Sequence, residues 1–257
     1  MKRIQINKLH LWQFDTLTKE NGIRHFVTDR STNENGAEFT LSYSSTPDKD
    51  LVRRNRHLLA DAMGVADDRL YMPSQIHKTN IVRVTSQTPK ETLLDTDALI
   101  SNERGVCIAV MSADCVPIVL FDRTNNAVGA VHSGWRGTVA HILEKTLHAM
   151  HEAFGTTGAD LVAGIGPSVS QDAYEVGEEV VTSVHAAFGH ESGLMIPQPE
   201  AKAKLDLWRA NELQLLAFGV APHNIEISNL CSVKNNVHFF SARKGDAGRF
   251  AAGIMLV

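Results

Sequence analysis

Three short polar motifs interrupt apolar stretches of the chain, and each carries a side chain able to hold a metal or move a proton. They are Gln75-Ile76-His77-Lys78-Thr79-Asn80, Ser112-Ala113-Asp114-Cys115-Val116-Pro117 and Val131-His132-Ser133-Gly134-Trp135-Arg136-Gly137. Imidazole and thiolate groups are ligands for zinc and copper. A cysteine with a histidine is also a nucleophile with its base. The first motif precedes a short apolar run, the second lies between two such runs, and the third joins a strand pattern to a helix pattern. Functional side chains concentrate at such element ends.

The third motif carries the most local information. Gly134 and Gly137 flank Trp135-Arg136. Glycine lets backbone N–H groups approach a ligand, a helix start adds unpaired donors, and Arg136 offers a fork for phosphate or carboxylate. An anion cradle beside His132 is one reading. A tight strand-to-helix turn with Trp135 in the core is the other, and the segment alone does not favour either. Taken singly, His77 fits a surface or hydrogen-bonded histidine, and Cys115 fits a small buried residue. Spacing does not join His77, Cys115 and His132, which form no compact ligand motif. Cys107 falls inside an apolar run and reads as core. His148 and His151, three apart, lie opposite the apolar stripe of their helix and read as a solvated face. A G-x-S-x-G elbow, a Walker phosphate loop and an H-E-x-x-H motif are all missing from the sequence.

The elements that must position these motifs follow from periodicity. Residues 23–28 and 38–43 read as strands around a polar turn at Asn33-Glu34-Asn35-Gly36. Thr46-Pro47-Asp48 starts a helix whose apolar face is Leu51, Leu58, Leu59 and Met63, with Gly64 as its stop. Residues 81–84, 98–100, 106–111, 116–121, 127–131 and 161–165 are apolar runs of strand length. The spacing predicts helices over 138–154, 177–188 and 205–218, and strands at 225–227, 237–240 and 252–257. Strands and helices mix without a regular βαβ alternation, so the expected class is α+β, with helices covering the outer faces of mixed sheets. No linker or repeat divides the chain, which reads as a single domain over 1–257.

Composition narrows the function. Of 257 residues, 43% are apolar and 21% charged, and the net charge is -4, values of an ordinary globular protein rather than a nucleic-acid binder. The closest basic run, Arg53-Arg54-Asn55-Arg56, reads as a solvated helix face. No stretch is apolar over ~18 residues, so no membrane span is expected. The first residues alternate, so no signal peptide is expected. Three cysteines, an odd count, argue against a disulfide framework and fit a reducing cytoplasm.

At these motifs the chain resembles the YfiH family, also called the laccase-domain or polyphenol-oxidoreductase family. The resemblance spans nearly the whole sequence. It is carried by Gln75-x-His77, Asp97-Ala98-Leu99-Ile100-Ser101, Ala113-Asp114-Cys115-Val116-Pro117-Ile118 and His132-Ser133-Gly134-Trp135-Arg136-Gly137-Thr138. Gly166-Pro167, Tyr174-Glu175-Val176, Asp206-Leu207 and Phe240-Ser241 with Arg243 add to it. The resemblance implies a layered fold and a zinc site held by His77, Cys115 and His132, with the fourth position open. Asp114 then supports the ligands, handles a proton or anchors its turn.

The implied activity is phosphorolysis of adenosine, inosine, guanosine and methylthioadenosine, with adenosine deamination beside it. The implied partners are a purine nucleoside and phosphate. Arg136, the amides of Gly134, Trp135 and Gly137, and Arg243 would hold the anion. Copper-dependent phenol oxidation is an alternative, weakened because none of the twelve histidines forms an H-x-H pair. A metal-free Cys115/His132 thiol hydrolase, or editing of cell-wall precursors, is another. A non-enzymatic binding protein is a minority reading. Three departures from the family pattern alter the substrate wall and spare the ligands: Thr40-Leu41-Ser42-Tyr43-Ser44, Cys231-Ser232, and Ala242 between Ser241 and Arg243.

Overall fold

Two six-stranded sheets stand face to face at the centre of the computed structural model, which describes residues 1–31, 38–198 and 201–257. With strands numbered along the chain, the first sheet runs β1 (Lys2–Ile6), β2 (Leu9–Gln13), β3 (Ile23–Thr28), β15 (Phe250–Leu256), β7 (Cys107–Ser112) and β4 (Leu70–Tyr71). The second runs β14 (Ile225–Ile227), β10 (Leu161–Ile165), β8 (Val116–Asp122), β9 (Ala127–Ser133), β6 (Ala98–Ser101) and β5 (Ile81–Arg83). A small third sheet joins β11 (Glu175–Val176), β13 (Ala201–Leu205) and β12 (Met195–Gln198). Most pairs are antiparallel, while β4 with β7, β5 with β6, and β10 with β14 are parallel.

The apolar runs are continuous because the central strands are covered on both faces. In β7, Ile108 and Val110 meet Val119 and Phe121 of β8 between the sheets. The alternate residues Cys107 and Ala109 face outward, against Leu59, Ala60 and Met63 of helix α1 (Lys49–Met63). A short helix α2 (Trp135–Val139) follows β9. Helices α3 (Ile142–Phe154) and α5 (Leu207–Ala217) then cover the outer face of the second sheet, on Ile118, Leu120, Leu161 and Ala163, and α4 (Glu178–Phe188) packs on α2 and β13. The α+β class with helices on the outer faces is therefore observed. Among the described residues no helix is long and apolar enough to cross a membrane.

Four expectations are corrected. Residues 38–43 form no strand, although apolar and polar residues alternate there; residues 39–42 are all buried. Their amides bond singly to the Arg30 and Arg249 carbonyls, and α1 side chains Asn55 and Arg56 take the carbonyls of Thr40 and Leu41. Residues 237–240 are a turn, because the His238 and Phe239 amides fold back onto Asn235. The helix expected over 138–154 is two helices, separated at His141, whose φ of 58° is left-handed. Arg53 and Arg54 are exposed as expected, but Asn55 is buried and Arg56 turns into a cavity. The expected turn at Asn33-Glu34-Asn35-Gly36 lies outside the described residues.

One buried titratable group gives the fold a pH dependence. His25 accepts the Phe14 amide at 2.9 Å, and burial lowers its pKa to about 4 from 6.5. The unfolded chain therefore binds a proton that the folded chain refuses. The stability this residue contributes is complete above pH 6.5 and is lost as pH falls toward 4, a total of roughly 3 kcal/mol. In urea titrations, His25→Gln, which keeps an acceptor, is expected to flatten that acid-side decline. An unchanged slope between pH 6.5 and 4.5 would count against the assignment.

Candidate metal centre

The chain crosses from one sheet to the other at the turn between β7 and β8. Asp114 in that turn takes a φ of 87°, a strained conformation for a residue with a Cβ. Its surroundings hold it there. One carboxylate oxygen accepts from the Ser232 hydroxyl at 2.6 Å and the other from the Arg243 amide at 2.8 Å. Its carbonyl accepts from the Val169 amide at 3.0 Å. Asp114 thus anchors the turn to two later segments and presents Cys115. The β8–β9 register pairs Pro117 with His132, which sets the histidine beside that turn.

His77 arrives from the loop between β4 and β5. Gln75 fixes this loop by donating to the Met111 carbonyl at 2.7 Å and accepting the Met111 amide at 2.8 Å, so its side chain extends the edge of β7. His77 has a φ of 62°, and the successive amides of Ile76, His77 and Lys78 all donate to Asp97, at 3.3, 2.9 and 2.9 Å. Such a run of inward-facing N–H groups is an anion-holding nest. Asp97 is fully buried and also bonds His132 Nδ1 at 2.8 Å, while its carbonyl accepts the His132 amide at 2.8 Å. One carboxylate therefore positions two of the three ligand residues. By accepting from Nδ1 it fixes the tautomer that turns Nε2 toward the site.

Burial opposes the Asp97 charge, but His132 and the Lys78 and His77 amides outweigh it and hold the carboxyl below its usual range. Burial pushes the Cys115 thiol up, but His132 and His77 reverse this and bring it down to about 6. Burial likewise disfavours the charged His132, yet Cys115 and Asp97 raise it to about 9. Each member of the pair thus favours the charged form of the other.

The ligand atoms of His77, Cys115 and His132 lie within 4.8 Å of one another, and the two rings meet edge to face with centroids 4.8 Å apart. Two nitrogens and one sulfur suit zinc, whose bonds of ~2.0–2.3 Å require this set to close by about 1 Å. His77 is exposed, Cys115 half-buried and His132 buried, so the group opens to one side. The residues fit a three-ligand metal, and among the described residues they are the group that could hold one.

That side is a cavity of about 690 Å³ bordered by all three ligands, Asp114 and Arg243. The glycine turn lies behind the ligands rather than in the cavity wall. A Cβ on Gly134 would fall 2.8 Å from Cys115 Sγ and 3.3 Å from His77 Cδ2, so this position needs glycine for close approach. Gly137 is buried, and a Cβ there would meet Ile142 at 3.2 Å. Trp135 is half-buried against the second-sheet core, with the exposed Arg136 guanidinium 4.3 Å from its ring. Arg243 donates to the Glu175 carbonyl at 2.9 Å and lies 4.7 Å from the Tyr174 ring. Gly134→Ala is expected to weaken metal binding by about tenfold with the fold intact. Competition titration against a chromophoric chelator checks this, and unchanged affinity would contradict the close-approach argument.

Sequence reasoning named the three candidate ligands but assigned no role to Asp97 or Gln75. The motifs containing them were visible, but their hydrogen bonds join segments 20 to 36 residues apart. Arg56 and Lys90, which also border the cavity, were missed because a helix-face arginine and a loop lysine carry no motif.

Residues 24–257 match the model of the family described as multi-copper polyphenol oxidoreductase laccase. The chain is 39% identical to a purine nucleoside phosphorylase of Bacteroides thetaiotaomicron, with 95% of each chain covered. It is 38% identical to adenosine deaminase RL5 of an unknown prokaryotic organism, over 77% of this chain and 79% of that one. The crystal structure of the hypothetical protein YfiH of Bacillus licheniformis superposes with a TM-score of 0.86 at 25% identity, covering 92% of this chain and 94% of that one. The chain is an enzyme and belongs to the multi-copper polyphenol oxidoreductase laccase family, the YfiH-like proteins that its motifs resemble.

Proposed function

We propose that the protein is a zinc-dependent purine nucleoside phosphorylase acting on adenosine, inosine, guanosine and methylthioadenosine, with adenosine deaminase activity at the same site. The observation that carries this reading is the convergence of His77, Cys115 and His132 on one wall of a cavity of about 690 Å³, within the size range of small-molecule sites. Relatives named for both activities support the substrate class. When bound, zinc supplies Lewis acidity at its open coordination position. Asp97 orients His132, and Asp114 keeps Cys115 at the cavity wall while standing beside Arg243. Of the two arginines expected at the anion, Arg243 borders the cavity and Arg136 is set back on Trp135. The whole chain, 1–257, works as one domain. Metal-replete protein incubated with adenosine and phosphate is expected to yield adenine with ribose 1-phosphate, and inosine; the absence of all three products would overturn the proposal.

A second reading rests on one observation. The Cys115 sulfur and a His132 ring nitrogen lie within 4.8 Å of each other, the pairing of a thiol nucleophile with its base, and each favours the charged form of the other. Alkylation of Cys115 by iodoacetamide separates the two. The zinc reading expects chelation to speed modification, and the thiol reading expects no effect of chelation.

A further inference from the structure

Arg56, Lys90, Arg243 and Arg249 border the same cavity as the ligands, with Asp114 as the carboxylate among its lining residues. Asp114 is engaged by Ser232 and the Arg243 amide. Among the described residues none of the four cationic side chains bonds a carboxylate. Lys90 donates to the Leu70 carbonyl at 2.6 Å, Arg243 to that of Glu175, and Arg249 to carbonyls of its own loop.

Arg56 and Lys90 are the most pointed pair. Arg56 Nε donates to the Leu41 carbonyl at 2.9 Å, its Nη2 meets only the Met111 sulfur at 4.0 Å, and its guanidinium lies 4.4 Å from the Tyr43 ring. Lys90 Nζ lies 3.4 Å from the Tyr71 ring centroid. Both also border an adjoining recess of about 250 Å³, so they stand together. Asp67 in that recess already bonds His57 at 2.8 Å. Two like charges held on aromatic faces, neither side chain bonded to a carboxylate, favour an anion between them. Burial lowers Lys90 to about 8; Asp68 opposes that shift, and Arg56 adds a smaller push in the same direction as burial. The guanidinium fork suits phosphate oxygens and the ammonium adds a point charge.

We infer that Arg56 and Lys90 form the subsite for a phosphate group in the metal-centre cavity, in place of the Gly134–Gly137 turn. That turn opens a helix of only five residues and does not border the cavity. The inference rests on the phosphorolysis reading only for expecting inorganic phosphate as the source. A nucleoside 5′-monophosphate offers the same group as an ester.

Calorimetric titration of the metal-replete protein with inorganic phosphate, and separately with adenosine 5′-monophosphate, tests it. Loss of a charge-assisted contact is expected to weaken phosphate binding at least about tenfold in Lys90→Met and in Arg56→Gln. Arg54→Gln removes a charge from the exposed face of the same helix and is expected to stay within about twofold of wild type. Arg56 also supports the Leu41 segment, so Lys90→Met decides the matter if Arg56→Gln does not fold. Wild-type affinity in folded, metal-loaded Lys90→Met overturns the inference, as does a wild-type protein that binds neither ligand. Binding of the monophosphate alone, with the same variant dependence, upholds the subsite and assigns it to an ester. Phosphate binding without base release from nucleosides upholds the subsite while the phosphorolysis reading fails.

Discussion

Cys115→Ala is expected to leave less than about a tenth of the wild-type metal per chain and to cut nucleoside turnover at least about 10³-fold, with little change in folding stability. The reason is geometric. The two histidines alone form an incomplete ligand set, and the thiolate is the one charged donor of the three. Removing it also frees His132 from the neighbour that most raises its pKa. Cys115 is half-buried at a turn held by Asp114, so its loss opens little cavity in the core. Elemental analysis by mass spectrometry and base-release kinetics on the same preparation measure both effects. The pairing matters, because a thiol nucleophile would also lose activity on this substitution. Metal retained at wild-type stoichiometry with activity lost would favour thiol chemistry over the metal centre.

Asp97→Asn is the second large effect, in a residue that touches no substrate. Asp97 accepts three backbone amides and His132 from full burial. The amide group keeps the size but turns one acceptor into a donor facing N–H groups. Metal affinity is expected to fall about 10–100-fold through misoriented His132 and a loosened His77 loop. Stability is expected to fall by about 2–4 kcal/mol, because charge-assisted bonds are lost and buried donors left unmatched. The carboxylate is also an acid-side sensor. Its folded pKa lies below the ordinary 3.8, so its contribution is present above that pH and is lost as the pH falls further. A competition titration that finds Asp97→Asn within about twofold of wild type would show that Asp97 does not position the ligands.

The sequence was most legible where burial is two-sided. The apolar runs that became β6 to β10 sit between helices and a second sheet, so their composition alone marks them. It was least legible where strands are half-exposed. The alternation across Lys2–Ile6 is the strand β1, mostly exposed, and only pairing with β2 gives it a ladder. The antiparallel pair β12 and β13, Met195–Gln198 with Ala201–Leu205, offers no apolar run longer than Met195-Ile196. Residues 38–43 failed in the opposite direction, since they alternate in residue type but 39–42 are all buried, without a neighbouring strand to pair with. At the site, His77, Cys115 and His132 stood out as residue types, but only family resemblance joined them before the fold did. Asp97 stayed silent because a carboxylate that bonds segments 20 and 35 residues away leaves no local spacing.

The central claim is that these three side chains hold one zinc ion. Crystals of protein purified without added metal, measured on both sides of the zinc absorption edge, address it directly. The account predicts one anomalous peak ~2.0–2.3 Å from a His77 ring nitrogen, Cys115 Sγ and His132 Nε2, strong above the zinc edge and lost below it. No peak between these residues, or a peak that follows the copper edge instead, would contradict it.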